Sequence, residues 1–245
     1  MRPPVAAALV AALAAGPALS GWLASRFAVA ELDRAMALRP PVAVIDYQPI
    51  TARLAQGVAA KDLEPGFATL LHIILEQQVS LASAKTAYDR LCAAIGPPLP
   101  RAFLTLDDAQ LKAIGFSRQK TRYGRELARA IIEGRLEMER LASADDDAVR
   151  AELIKLPGIG TWTVEVYLLL ALRRPDAFAA SDLALLTAVQ QVKKLKSRPS
   201  PEQVEKMAER WRPYRAGAAR LLWHAYLSER VARKGGRVNS GRPGQ

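Results

Sequence analysis

From about residue 47 onward, apolar side chains recur at helical rather than alternating spacing. Residues 66–78 set Phe67, Leu70, Leu71, Ile74 and Leu75 along one face, which predicts an amphipathic helix. A second helix is predicted from about Ser80 to Ile95, and Gly96-Pro97-Pro98 stops it. Thr105, with Asp108 three residues on, has the pattern of a capping box opening a short helix that closes at Gly115. Further helices are predicted over 117–134, 145–155 and 161–172, the last two joined by a turn at 156–160. Pro175 punctuates the next loop, and Asp182 opens another helix. Arg198-Pro199-Ser200-Pro201 then links to helices at about 202–211 and 214–232. No run of alternating β-branched residues lies between hairpin turns, so the expected fold is all-α.

The two ends differ from this pattern. Residues 3–25 carry no charge and follow Arg2, as in a secretory signal or a weak membrane segment. Their alanine-rich composition and Pro3, Pro4 and Pro17 keep hydropathy modest, and the favoured reading is an upstream start with translation beginning naturally at Met36, or a disordered tail. The expected organisation is therefore a hydrophobic, poorly ordered segment over 1–46, a folded domain over 47–232, and a basic, glycine-rich disordered tail over 233–245.

Composition narrows the function. The 245 residues are 50% hydrophobic and 24% charged, as in ordinary globular proteins. The charge balance is unusual: 35 Lys and Arg against 24 Asp and Glu give a net +11. Such a surplus points to a polyanionic partner, with a basic solvated surface as the plainer alternative. One cysteine, Cys92, excludes an internal disulfide framework and a cysteine-rich zinc or iron–sulfur site. Two histidines, His72 and His224, leave little for a histidine metal site or a Ser-His-Asp triad. No G-x-S-x-G, Walker A or G-x-G-x-x-G string is present. Asp145, Asp146 and Asp147 read as a helix N-terminal cap rather than a metal site.

The turn Leu156-Pro157-Gly158-Ile159-Gly160 carries the most specific chemistry. Pro157 restricts φ, and the two glycines open backbone angles and close approaches denied to other residues. Backbone amides at the start of the following helix, from Gly158 to Thr161, could then meet an anion such as a DNA phosphate. A plain tight turn between helices would look similar over Gly-x-Gly alone. Likewise, Ser181 and Asp182 alone read as a helix cap.

The longer string Leu-Pro-Gly-Ile-Gly-Thr-Trp-Thr over 156–163, within residues 152–190, resembles the core motif of the helix-hairpin-helix-GPD superfamily of DNA glycosylases, in its 3-methyladenine DNA glycosylase II branch. The resemblance extends through Ile73-Ile74-Leu75-Glu76-Gln77-Gln78-Val79-Ser80 and Glu209-Arg210-Trp211-Arg212-Pro213-Tyr214-Arg215, covering about 65–228. It implies two helical subdomains with the active-site cleft between them, and the chain before residue 65 is too short for the β-rich domain of longer relatives. It also implies that Asp182, 20 positions beyond Trp162, is the catalytic aspartate. An anion there would stabilise the positive charge that builds on deoxyribose as an N-glycosidic bond breaks, and could orient the attacking water.

The same resemblance bears on the other site residues. Bifunctional members carry a Schiff-base lysine two residues after the hairpin's final glycine, where this chain has Trp162; Lys155 precedes the hairpin and does not match. A monofunctional hydrolase without lyase activity is thus implied. Trp162 and Trp223 would wall the base pocket, and an aromatic face suits a cationic alkylated purine. A pocket tyrosine of relatives falls at Val166, with Tyr167 pointing elsewhere, which leaves base preference open. Gln77, Gln78, Gly158, Ile159, Gly160, Thr161 and Thr163 are the implied DNA contacts, with Gln78 where relatives present an apolar wedge into the gap left by base flipping. No side-chain metal site or cofactor is implied, but the carbonyls of Leu156 and Ile159 match a family site for Na⁺ or K⁺. The expected partner is duplex DNA with alkylated bases, met by a monomer in the nucleoid-containing cytoplasm. The alternatives are a non-catalytic helix-hairpin-helix DNA-binding protein and, on residues 3–25 alone, a secreted or membrane-anchored helical protein.

Overall fold

The computed structural model describes residues 63–239, and every regular element among them is helical. The expectations for 1–46, for the start of the domain at 47–62, and for 240–245 lie outside the described residues. Two compact units divide at the Pro175 loop, one ending at Arg174 and the other beginning at Pro175.

The unit over 63–174 is built on α1, Phe67–Glu76, which packs against α2 (Leu81–Ile95), α5 (Arg118–Ile132) and α8 (Thr161–Leu170). Sequence periodicity predicts one buried face, but contact from three helices also buries Ile73 and Thr69. A helix covered on several sides is apolar nearly all round. Between them run α3 (Pro100–Leu104), α4 (Asp108–Ile114), α6 (Met138–Ser143) and α7 (Asp146–Leu153). At Gly124 of α5, a Cβ would lie 2.8 Å from the Phe103 ring and 2.9 Å from Leu71, so only glycine admits this approach of α5 to α3 and α1.

The capping box forms two residues later than Thr105 and Asp108 predict. Asp107 caps α4 by accepting from the Gln110 amide at 2.7 Å, and the Gln110 side chain accepts from the Asp107 amide at 2.8 Å. Thr105 instead donates its hydroxyl to the Ala102 carbonyl at the end of α3. The shift arises because α3 occupies residues that sequence reading leaves unassigned. Asp107→Ala should lower stability by about 1 kcal/mol, seen as a fall of roughly 2–4 °C in a thermal melt; an unchanged melt would deny the cap that role. Asp145 caps α7 as expected, accepting from the Ala148 amide.

The unit over 175–239 comprises α9 (Leu183–Val192), α10 (Pro201–Ala208), a 3-10 turn (Glu209–Trp211) and α11 (Arg215–Asn239). The long α11 packs on α9 and on the 3-10 turn, with Trp211 fully buried. It continues to Asn239, so residues 233–239 of the expected disordered tail are helical. Extending an existing helix needs no new nucleus, which lets Arg, Val and Lys follow on despite Gly235 and Gly236. Among the described residues, no helix is long and apolar enough to cross a membrane.

Candidate active site

In the unit over 63–174, the hairpin leaves α7 and enters α8. A bidentate ion pair from Arg150 to Glu165, with Nε at 2.7 Å from Oε1 and Nη2 at 3.4 Å from Oε2, ties the two helices together. These bonds raise the Arg150 pKa above its ordinary value. Within the turn, the Ile159 amide donates to the Leu156 carbonyl at 3.1 Å. Gly158 takes φ +84°, in the region that favours glycine, while Gly160 is extended at φ −100° and ψ 178°. Only the first glycine is therefore required by backbone angle. Gly160 caps α8 without a side-chain hydrogen bond, and a Cβ there would meet nothing within 4 Å. Its role is to leave the helix N-terminus uncovered, where amides and dipole attract an anion.

Tyr123 of α5 is a partner that sequence reading missed. A Cβ on Gly158 would fall 2.1–2.5 Å from the Tyr123 ring, so the ring lies directly on the hairpin backbone. Gln119 donates to the Tyr123 hydroxyl at 2.6 Å, and the Arg122 guanidinium sits 5.3 Å from the ring centroid. Tyr123 and Gly158 are 35 positions apart, and no local pattern links them.

The turn after α1 joins the same assembly. Gln77 donates from Nε2 to the Gly158 carbonyl at 2.8 Å and to the Thr163 hydroxyl at 3.0 Å. Its amide is thus a strut between this turn and the hairpin. Lys120 Nζ donates to the Leu75 carbonyl at 2.6 Å, and burial lowers its pKa below the usual lysine value. Gln78 is exposed and takes φ +58°, a conformation uncommon for a non-glycine residue. Thr161 is exposed, whereas Thr163 and Ile159 are buried, so the two buried residues can offer a phosphate only their backbone. Trp162 is half-buried in the first turn of α8. Val166 and Tyr167 are both buried, and burial pushes the Tyr167 hydroxyl up to about 12.

In the unit over 175–239, Asp182 is the N-cap of α9 and half-buried. Its Oδ1 accepts the Leu185 amide at 2.9 Å and the Trp223 indole N–H at 3.0 Å. Capping and a further task are thus compatible, because the cap hydrogen bond fixes the carboxylate without neutralising it. Trp223 comes from α11, 41 positions away, and sequence reading, which assigned it to a base-pocket wall, did not include this hydrogen bond. Two further residues it missed are Asp176 and Arg215. Arg215 is 5% exposed and grips Asp176 with Nε at 2.9 Å and Nη2 at 3.0 Å, while Nη1 donates to Glu205 at 2.6 Å. The available signal was an acid immediately before the apolar run Ala177-Phe178-Ala179-Ala180, since a charge drawn toward the interior needs a partner.

Among the described residues, no cluster of three or more His, Cys, Asp or Glu side chains could hold a metal ion.

The chain is similar to known proteins in sequence and in fold. Residues 71–213 match the family described as HhH-GPD superfamily base excision DNA repair protein. A Bacillus subtilis (strain 168) relative, YfjP, provisionally named a DNA-3-methyladenine glycosylase, is 31% identical over 164 residues, which make up 64% of this chain and 57% of that one. DNA-3-methyladenine glycosylase 1 of Schizosaccharomyces pombe is 29% identical over 161 residues, 63% of this chain and 69% of its own. The chain thus spans just over half the length of the bacterial relative. Among solved structures, the 3-methyladenine DNA glycosylase Mag1 of fission yeast in complex with abasic DNA aligns with TM-score 0.63 at 26% identity, covering 74% of this chain and 91% of that one. Since the family match alone takes in more than half of the sequence, the chain belongs to the HhH-GPD superfamily of base excision DNA repair proteins.

Proposed function

We propose that the protein is a monofunctional DNA glycosylase that hydrolyses the N-glycosidic bond of alkylated bases of the 3-methyladenine type in duplex DNA. The observation that carries this reading is the carboxylate of Asp182, half-buried and held on Oδ1 by the Leu185 amide and the Trp223 indole. Scission of the glycosidic bond develops positive charge on the sugar, and a fixed anion stabilises it without reorganising as the reaction proceeds. The same carboxylate orients the water that attacks the sugar carbon. The named relatives, whose names include 3-methyladenine glycosylases, support this substrate class.

DNA is gripped by the hairpin. The open N-terminus of α8 takes a phosphate through the amides of Gly158 to Thr161, and the exposed Gln78, lifted by its positive φ, enters the gap that base flipping leaves. The aromatic side chains of Trp162 and of Trp223 are each of a kind that suits a cationic base. Carbonyl oxygens are hard neutral donors that suit Na⁺ or K⁺, and the Leu156 carbonyl keeps a second lone pair beside the Ile159 amide bond. With Ile159, it would hold such an ion, which supplies positive charge toward the phosphate. On this reading the protein works as a monomer on double-stranded DNA, in the cytoplasm where the chromosome lies.

The test is incubation with methylated duplex DNA. Free 3-methyladenine and an intact abasic strand are expected, and failure to release any methylated base would reject the reading. Borohydride should trap no covalent complex, because Trp162 offers no amine for a Schiff base. A trapped species would reject the monofunctional assignment.

A further inference from the structure

The loop that carries Asp182 is fastened at both ends to one helix. At its start, the Asp176 carboxylate receives two parallel hydrogen bonds from Arg215, and the Pro175 carbonyl accepts the Ala216 amide at 2.9 Å. At its finish, Asp182 receives the Trp223 indole N–H at 3.0 Å. Arg215 and Trp223 are eight residues apart on α11, roughly 12 Å along its axis at 1.5 Å per residue. Between the two fastenings, Ala177, Phe178 and Ala179 are buried, and Phe178 packs on Trp211 with ring centroids 6.0 Å apart. The Asp182 amide also donates to the Ala179 carbonyl at 2.8 Å, closing the end of the loop on itself.

Each fastening is of a durable kind. A planar guanidinium matches a carboxylate through two parallel bonds, which fixes direction as well as distance. Arg215 is nearly fully buried and also engages Glu205 at 2.6 Å and Glu209 at 3.8 Å. Arg212 adds a second ion pair to Asp176. The indole ring has one rigid donor, so its N–H can point to Asp182 only when α11 and α9 keep their spacing.

We propose that α11 acts as a ruler for the reaction, with Arg215, through Asp176, and Trp223 as positioning residues that hold the Asp182 carboxylate in place. The inference rests on the glycosylase reading for its kinetic consequence, since a fixed anion loses much of its effect when displaced by about an ångström. Trp223 then has a task beyond offering an aromatic face, and its nitrogen carries that task.

Two variants separate positioning from folding and from base stacking. Asp176→Asn keeps the side-chain shape but removes the charge that Arg215 grips. Trp223→Phe keeps an aromatic face but removes the N–H. Single-turnover release of 3-methyladenine from methylated duplex DNA, at saturating enzyme, should slow by about 10- to 100-fold in Asp176→Asn and by about 10-fold in Trp223→Phe. Affinity for a duplex containing a tetrahydrofuran abasic analogue should stay within about twofold of wild type, because DNA capture belongs to the other unit. The indole N–H resonance of Trp223, assigned by its loss in Trp223→Phe, should shift in Asp176→Asn. Wild-type rates in both variants overturn the proposal, as does a rate loss that disappears when expressed per folded molecule. If Asp176→Asn does not fold, Trp223→Phe decides alone, and a rate within twofold of wild type overturns the proposal. An inactive wild type would defeat the glycosylase reading, while the Trp223 resonance would still report whether Asp176 holds the Asp182 contact.

Discussion

Asp182→Asn should lower base release by about a thousandfold while leaving the protein folded and DNA binding intact. Asparagine is as good an N-cap as aspartate, so the bond from the Leu185 amide to Oδ1 survives. The Trp223 indole can also still donate to an amide oxygen. What is lost is the negative charge, and with it the stabilisation of the oxocarbenium-like sugar. The measurement is single-turnover release from methylated duplex, set beside affinity for an abasic-analogue duplex and a thermal melt. Turnover near the wild-type rate would mean that Asp182 only caps α9. A parallel loss of stability and activity would mean that charge at this cap serves folding instead.

The second large effect is expected at Gly158. Gly158→Ala introduces a Cβ 2.1–2.5 Å from Tyr123 ring atoms, at a residue with φ +84°. The angle costs an L-residue about 1–2 kcal/mol, and the overlap cannot be relieved without moving the ring or the hairpin. Tyr123 is held by Gln119 through its hydroxyl, so the hairpin is expected to yield. A displaced hairpin carries with it the Gly158 carbonyl that Gln77 binds, and thus disturbs the Gln78 turn as well. Affinity for abasic-analogue duplex should fall by about 10- to 100-fold, with a shallower salt dependence as a phosphate contact is lost. The double variant Gly158→Ala/Tyr123→Ala should recover part of the loss by removing the overlap. Unchanged affinity in the single variant would remove the hairpin from the DNA interface. No recovery in the double variant would assign the whole cost to the backbone angle.

Much of this was legible in the sequence for a physical reason: its signals are local. Helix periodicity, the stops at Gly96 and Gly115, and the break at Pro175 depend on neighbours a few residues apart. The motif at 156–163 and the spacing from Trp162 to Asp182 are also linear features, and they sufficed to place the chain in its superfamily. Thr105 and Asp107 show the limit even at short range. Which of these two polar residues, two positions apart, caps α4 depended on where the preceding α3 ended.

The site's supporting shell was not legible, because its pairs are far apart in sequence. Gln77 meets Gly158 across 81 positions, Trp223 meets Asp182 across 41, and Arg215 meets Asp176 across 39. Nothing in a linear pattern says which of several glutamines, tryptophans or arginines arrives at a given atom. Only packing decides that, since each contact follows from how whole helices are laid against one another. The sequence by itself determined that the chain is helical, where its hairpin lies, and to which superfamily it belongs. The tertiary structure alone decided that Gln77 braces the hairpin, that Tyr123 makes Gly158 irreplaceable, and that α11 grips the Asp182 loop at both ends. Hydrogen bonds act over about 3 Å, and folding alone brings residues so distant in sequence within that range.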